Sequence, residues 1–363
     1  MKKEEVKLEH PAKRWFKLVF FLYLFILSIE AIKKASIHLA PNIKDLLMGG
    51  LPALKAVSAG WFITSLVQSS GAVGTITAAF ASTGVLNLST SVYILIGASL
   101  GTTITALIIS LIIISKNRRD FRHGFEIGLS YSIYAVFLGI IVFILEYFFQ
   151  LISRISLFIA TSLGDKVGLL KIPNYIDFIT EPIINLFFNN GSKIILLIVG
   201  FGLLILALKN ISKAVVGVMG GEENTKRFIN KFFTSKYKAY LIGAVLTAIV
   251  FSSSITIGLL VPLAASRLIG LKRAIPFILG ADVGTFTDLF LASVIISETP
   301  ALAVSISYFL IGLIGGIIFL PNTELLFKTT KYVSKKLMHI SRKKALYLLA
   351  GFLLIPLSII LLF

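Results

Sequence analysis

The sequence predicts an all-α polytopic membrane protein built from two inverted-topology repeats, each a re-entrant broken-helix hairpin followed by a discontinuous helix. Three observations carry that expectation. Of 363 residues, 56% are hydrophobic and only 14% are charged, with a mean hydropathy of +0.93. A soluble domain carries about 25% charged residues, so a normal water-exposed surface cannot be built from this pool. Apolar runs near the roughly 20 residues needed to cross a bilayer recur along the chain. Two further apolar stretches are broken at their centres by small polar residues.

Taken in order, Trp15–Ala31 is the first run. Lys33 and Lys34 follow it in place of a small-residue cleavage site, so it reads as a retained helix and not as a signal peptide. Val57–Thr83 is interrupted by Gln68-Ser69-Ser70-Gly71. Ser91–Ile114 and Phe125–Phe149 are the next runs. Residues 152–192, with Pro173, Pro182 and Asn189-Asn190-Gly191, read as a long outer connection holding an amphipathic or partly inserted helix. Ile194–Leu208 is short as drawn and is expected to run on toward Val218. Tyr240–Ser266 is interrupted by Ser252-Ser253-Ser254. Ile275–Ile296 and Leu302–Leu320 follow, and Ala345–Phe363 closes the chain after a basic loop. The expected units are a first repeat over 1–151 (hairpin 57–83, broken helix 91–114) and the connection 152–192. A second repeat covers 193–320 (hairpin 240–266, broken helix 275–296), and the basic loop with the last helix covers 321–363.

Charge sets the orientation. Lys and Arg number 35 against 17 Asp and Glu, a formal net charge of +18. On a soluble protein that excess would suggest nucleic acid. Here the basic residues lie in short runs between apolar stretches, the pattern of cytoplasmic loops facing anionic lipid, so no nucleic-acid partner is expected. If both interrupted stretches are re-entrant and the N-terminus is cytoplasmic, 27 basic residues lie inside and 8 outside. If both stretches cross fully, the split is 20 to 15. The positive-inside rule selects the re-entrant arrangement, in a multi-pass protein of the cell (inner) membrane.

An internal repeat supports it. At an offset of 183 residues, Gly60, Thr64, Ser69 and Ser70 fall on Gly243, Thr247, Ser252 and Ser253; without a gap, Gly97-Ala98 and Gly101-Thr102 fall on Gly280-Ala281 and Gly284-Thr285. Residues 60–105 share 11 identities in 46 positions with their counterparts. In the 27:8 topology the two hairpins enter from opposite sides, so the repeats are inverted, which is a signature of secondary transporters. A duplicated packing motif is the plainer alternative, since small residues also let helices approach closely.

Serine and glycine in an apolar run permit local unwinding and leave backbone groups that must be satisfied inside the protein. Half-helix N-termini then suit an oxyanion, and unwound carbonyls with side-chain oxygens suit a hard cation such as Na⁺. The segments supply Gln68, Ser69, Ser70, Thr102, Thr103 and Thr105 in the first half, and Ser252, Ser253, Ser254, Asp282, Thr285, Thr287 and Asp288 in the second. Neither hairpin carries Lys or Arg between Lys55 and its end or before Arg267. An anion there would rely on amides, hydroxyls and a co-bound cation, which implies coupling. A carboxylate at membrane depth is costly and a functional candidate; with no Lys or Arg between Arg273 and the end of its helix, Asp282 is expected to be compensated by a cation or proton. Glu126, beside Arg118, Arg119 and Arg122, reads as an interfacial salt bridge, and Glu30 and Glu146 are expected to reach the headgroups.

The Gln-Ser-Ser segment paired with Gly-Ala-x-x-Gly-Thr-Thr, repeated in two halves, resembles the type II sodium/phosphate cotransporter family, over residues of about 15 to 320. The resemblance implies Na⁺-driven symport of inorganic phosphate by alternating access, with no cofactor beyond the coupling ion. It implies phosphate at Gln68, Ser69, Ser70, Ser252, Ser253 and Ser254. It implies Na⁺ at Thr64, Gln68, Ser99, Thr102, Thr103, Thr247, Asp282, Thr285 and Asp288. The sequence departs from the family pattern where Gly71 replaces a third serine, Phe251 a second glutamine, Ser99 and Asp282 asparagines, and Phe286 a threonine. The expected partners are phosphate, Na⁺ and membrane lipid, and a homodimer is a compatible assembly.

Two other functions compete. The same architecture could move another anion or couple to another cation. An intramembrane enzyme with a serine nucleophile needs a general base beside the serine. The chain has no cysteine, and none of its histidines, His10, His38, His123 and His339, lies within a long apolar run.

Overall fold

The structure, a computed structural model, describes residues 11–46, 51–112, 118–167, 179–185, 193–218, 224, 235–337 and 342–362. Among the described residues every regular element is helical: α1 (Pro11–Leu46), α2 (Ala53–Val67), α3 (Ser70–Ser82), α4 (Leu88–Thr102), α5 (Ile104–Ile112), α6 (Arg118–Phe149), α7 (Leu151–Val167), α8 (Lys193–Val218), α9 (Lys236–Val250), α10 (Ser253–Ala265), α11 (Leu271–Gly284), α12 (Phe286–Ile296), α13 (Thr299–Phe319), α14 (Thr323–Leu337) and α15 (Arg342–Leu362). Among the described residues six helical stretches are long and apolar enough to cross a membrane: Ala12–Leu39, Leu88–Ser110, Arg122–Phe149, Lys193–Val218, Leu271–Ile296 and Thr299–Phe319. The chain is a multi-pass membrane protein. As expected, α8 extends to Val218. The C-terminal run forms α15, but its described apolar part, Leu349–Leu362, is shorter than a span. Pro173 and Asn189-Asn190-Gly191 lie outside the described residues.

Helices α2 and α3, of 15 and 13 residues, reach roughly 20 Å each at about 1.5 Å per residue, short of the roughly 30 Å hydrocarbon core. Helix α2 runs beside α4 in the same direction, Val57 against Gly97 and Thr64 against Gly101. Glycine makes the approach close: a Cβ on Gly97 would stand 1.8 Å from the Val57 carbonyl oxygen, and one on Gly60 2.0 Å from that of Ile94. Since α4 begins just after the turn that ends α3, α3 must run back against both. The same device recurs 183 residues on. A Cβ on Gly280 would stand 1.8 Å from the Tyr240 oxygen, and those on Gly243 and Gly284 each 2.2 Å from the oxygens of Phe277 and Ala244.

The short helices cross between the halves: α3 packs on α12 and α13, while α10 packs on α5 and α6. Helix α1 lies antiparallel to α8, because Arg14 Nη1 donates to the Gly217 carbonyl at 3.1 Å while Ile32 meets Gly200. Tyr131, Tyr134 and Phe277 are the largest enclosed side chains of the continuous apolar core.

Three acidic residues near span ends anchor this frame. Glu126 is fully buried; it accepts from Arg122 Nε at 3.0 Å and from Lys331 Nζ at 2.5 Å, so the expected salt bridge also ties α14 to α6. Glu146 departs from expectation. Instead of reaching the headgroups it is buried, accepting from the Ile152 and Ser153 amides at 3.1 Å and from Ser89 Oγ at 2.6 Å. The free N–H groups of the first turn of α7 draw the carboxylate in. Glu30 is likewise buried, 3.9 Å from Lys33. Helix α14 buries Leu326, Thr330 and Ser334 and exposes Lys328, Lys335 and Lys336, an amphipathic pattern at helical spacing. At its start Lys272, 2.9 Å away, holds the Glu324 carboxyl below its ordinary range.

Candidate functional site

Each hairpin turns on two residues. At the first tip Gln68 adopts φ 58°, ψ 34° and returns its N–H to the Thr64 carbonyl at 2.7 Å, ending α2. Ser69 is extended, and its Oγ accepts the Ala72 N–H at 3.2 Å, capping α3. At the second tip Phe251 sits at φ 57° with its N–H on Thr247 at 2.8 Å, and Ser252 Oγ accepts the Ile255 N–H at 3.2 Å. A bulky residue in the left-handed region is uncommon and strained by about 1 kcal/mol or more. Such strain persists only where the surroundings enforce it.

Both tips open on one cavity of about 200 Å³ of empty space, its open mouth included, lined by Gln68, Ser69, Ser70, Gly71, Thr102, Phe251, Ser252, Ser253, Ser254, Thr285 and Asp288. Among the described residues the lining holds no Lys, Arg or His, and the N-terminal ends of α3 and α10 both face it. All six expected phosphate residues are here, together with Thr102, Thr285 and Asp288 from the expected Na⁺ set. Thr64, Ser99, Thr103, Thr247 and Asp282 are buried but do not line it.

The two halves differ in how their buried oxygens are used. In the first, the hydroxyls of Thr64, Ser99, Thr102 and Thr105 have no hydrogen-bond partner. At the equivalent places in the second, Thr247 pairs with Thr256 at 2.8 Å and Thr285 donates to the Ala281 carbonyl at 2.9 Å. Asp282 accepts from Tyr131 at 3.3 Å and Tyr134 at 2.9 Å, and Asp288 Oδ1 accepts from the Leu289 amide at 2.7 Å. Thr103 donates to the Leu100 carbonyl at 2.9 Å and accepts from Ser132. Two tyrosine hydroxyls thus hold the Asp282 carboxyl group in place.

Sequence reasoning missed those tyrosines. Nothing in the local sequence signals a partner more than a hundred residues away. The glycines also act differently from expectation. Helices α4 and α11 run unbroken through Gly97–Gly101 and Gly280–Gly284 and break immediately afterwards, near Thr103 and Thr285, so these glycines serve close packing and not unwinding.

Fold and site together define a helical multi-pass membrane protein with a polar cavity between two pairs of half-helices. A family model described as Na+/Pi-cotransporter matches residues 24–164 and 203–341. The chain belongs to the Na⁺/Pi-cotransporter family, a family of transporters and not of enzymes. It is 26% identical over 420 residues to sodium-dependent phosphate transport protein 2A of Ovis aries, covering 93% of this chain and 65% of that protein. The Mus musculus 2A protein is 26% identical over 419 residues, with the same two shares of 93% and 65%. Protein 2B of Bos taurus is 32% identical over 182 residues, 46% of this chain and 26% of that one. The chain therefore spans about 65% of the length of the 2A relatives it matches. No solved structure matches it significantly.

Proposed function

We propose that the protein is a Na⁺-coupled symporter of inorganic phosphate working by alternating access, with phosphate held between the two hairpin tips. The observation that carries this is the single cavity faced by the N-terminal ends of α3 and α10 and by the serines Ser69, Ser70, Ser252, Ser253 and Ser254. Half-helix N-termini present amides and a positive dipole end to an oxyanion. With no cationic side chain in the lining among the described residues, a bound anion needs a co-bound cation to offset its charge. The unpartnered hydroxyls of Thr64, Ser99 and Thr102, with Gln68 and Asp288, are the oxygens best placed to hold Na⁺; Thr103, Thr247 and Thr285 each keep a lone pair for it. The relatives' names, sodium-dependent phosphate transport proteins, agree with that substrate pair.

Coupling makes a direct prediction. Titrated with phosphate in a calorimeter, the purified protein should bind at least tenfold more tightly in Na⁺ than in choline, with Na⁺ binding strengthened reciprocally by phosphate. Equal phosphate affinity in the two buffers would contradict the proposal.

The inverted arrangement is part of the same reading. Helices α1 and α8 start at nearly the repeat offset yet run antiparallel, as inversion across the membrane plane requires. Contacts also join segments assigned to one side, Arg14 with Gly217 and Lys331 with Glu126 inside, Lys34 with Glu181 outside. The chain lacks cysteine, so single cysteines can be placed freely. One at Leu54 should label from outside only, and one at Tyr237 from the cytoplasm only. Labelling of both from one side would refute inversion.

A further inference from the structure

At the cavity the two halves differ at two repeat-related positions. In the second hairpin the position after the two tip serines is Ser254, and its counterpart in the first is Gly71; the counterpart of Asp288 is Thr105. These two departures meet in space. A Cβ on Gly71 would stand 1.5 Å from Asp288 Oδ2 and 2.4 Å from its Cγ, so the carboxylate fills the place a third serine would occupy. Asp288 is 2% exposed, and Leu289 N–H fixes its other oxygen at 2.7 Å. The Thr102 hydroxyl, also lining the cavity, is buried without a partner.

We propose that Gly71 and Asp288 form one compensated pair that sets a fixed carboxylate against the N-terminus of α3, where with Thr102 it binds the coupling cation and makes anion binding wait on that cation. This rests on the reading of the cavity as a shared anion and cation site. The charge logic is simple. The first amides of α3 attract a negative group, and Asp288 already supplies one. An arriving oxyanion meets an unscreened like charge in a medium of low dielectric, where repulsion is strong. A cation bridging Asp288 and Thr102 removes that repulsion and adds an attraction. In this account Asp288, and not Asp282, supplies the carboxylate of the coupling site.

The test uses the full chain in detergent, titrated calorimetrically with NaCl at constant total salt in choline, then with inorganic phosphate. Two variants are compared with wild type: Asp288→Asn, and the double change Gly71→Ser with Asp288→Thr, which installs the residues found at the repeat-related positions 254 and 105. Both should weaken Na⁺ binding at least tenfold and reduce the Na⁺ enhancement of phosphate affinity at least fivefold. Gly71→Ser alone should lose phosphate binding or fail to fold, and the second change should restore it. Na⁺ affinity within twofold of wild type in either folded variant would overturn the proposal. So would a well-behaved Gly71→Ser protein, or a double variant that does not fold. A wild-type protein whose Na⁺ binding depends on Asp288 but that takes no phosphate would overturn the phosphate reading and leave this one standing.

Discussion

Gly280→Ala should deplete the folded protein severely. The added Cβ would lie 1.8 Å from the Tyr240 carbonyl oxygen and 2.7 Å from its carbon, where non-bonded carbon contacts normally sit at about 3.5–4.0 Å. Both sides of the clash are backbone, so no rotamer change can relieve it and α9 must move away from α11. Overpacking a core costs about 1–3 kcal/mol where side chains can adjust. Here the expected cost is at the top of that range or above it, against a total stability of roughly 5–15 kcal/mol. Gly97→Ala should behave alike, since its Cβ meets the Val57 oxygen at 1.8 Å. Gly202→Ala, with nothing within 4 Å, is the control and should be near neutral. Monodisperse yield and the thermal unfolding midpoint of the three variants in detergent decide it; a Gly280→Ala protein as stable as Gly202→Ala would refute the packing account.

Asp282→Ala should be the next most damaging. It leaves the hydroxyls of Tyr131 and Tyr134 without their carboxylate acceptor, and both tyrosines are essentially fully enclosed. An unsatisfied buried donor costs about 1–3 kcal/mol, so the pair should cost roughly 2–6 kcal/mol. Asp282→Asn keeps the shape and one acceptor and should recover much of the fold. Because both oxygens of the carboxylate are engaged by tyrosine hydroxyls, the Na⁺ activation curve of Asp282→Asn should follow wild type. A shifted curve would return Asp282 to the cation site.

The contrast between these two aspartates marks how far the sequence could be read. Periodicity and length foretell the six spans because a helix in lipid needs an unbroken apolar run, and nothing but composition sets that. The hairpin tips are legible because Ser69 and Ser252 are N-cap residues standing inside apolar runs, a conflict that only a helix break resolves. The polar residues on the cavity follow from those tips. What stays hidden is contact at long range. Asp282 and Asp288 look equivalent in sequence, two carboxylates in one apolar run. Only packing separates them, by setting Tyr131 and Tyr134 on one and the missing side chain of Gly71 beside the other. The burial of Glu146 is hidden for the same reason, since its partners are amides of the helix that follows a turn. The glycines mislead because unwinding and close packing demand the same residue.

In the proposed function Na⁺ drives phosphate through the cavity between the hairpins. Purified protein in proteoliposomes, given labelled phosphate outside and an inward gradient of Na⁺, K⁺, Li⁺ or choline in turn, tests it most directly. The account predicts concentrative uptake with Na⁺ that collapses when the gradient is dissipated, and uptake near that of empty liposomes with choline. Equal uptake in Na⁺ and choline, or no phosphate accumulation above empty liposomes under any gradient, would contradict it.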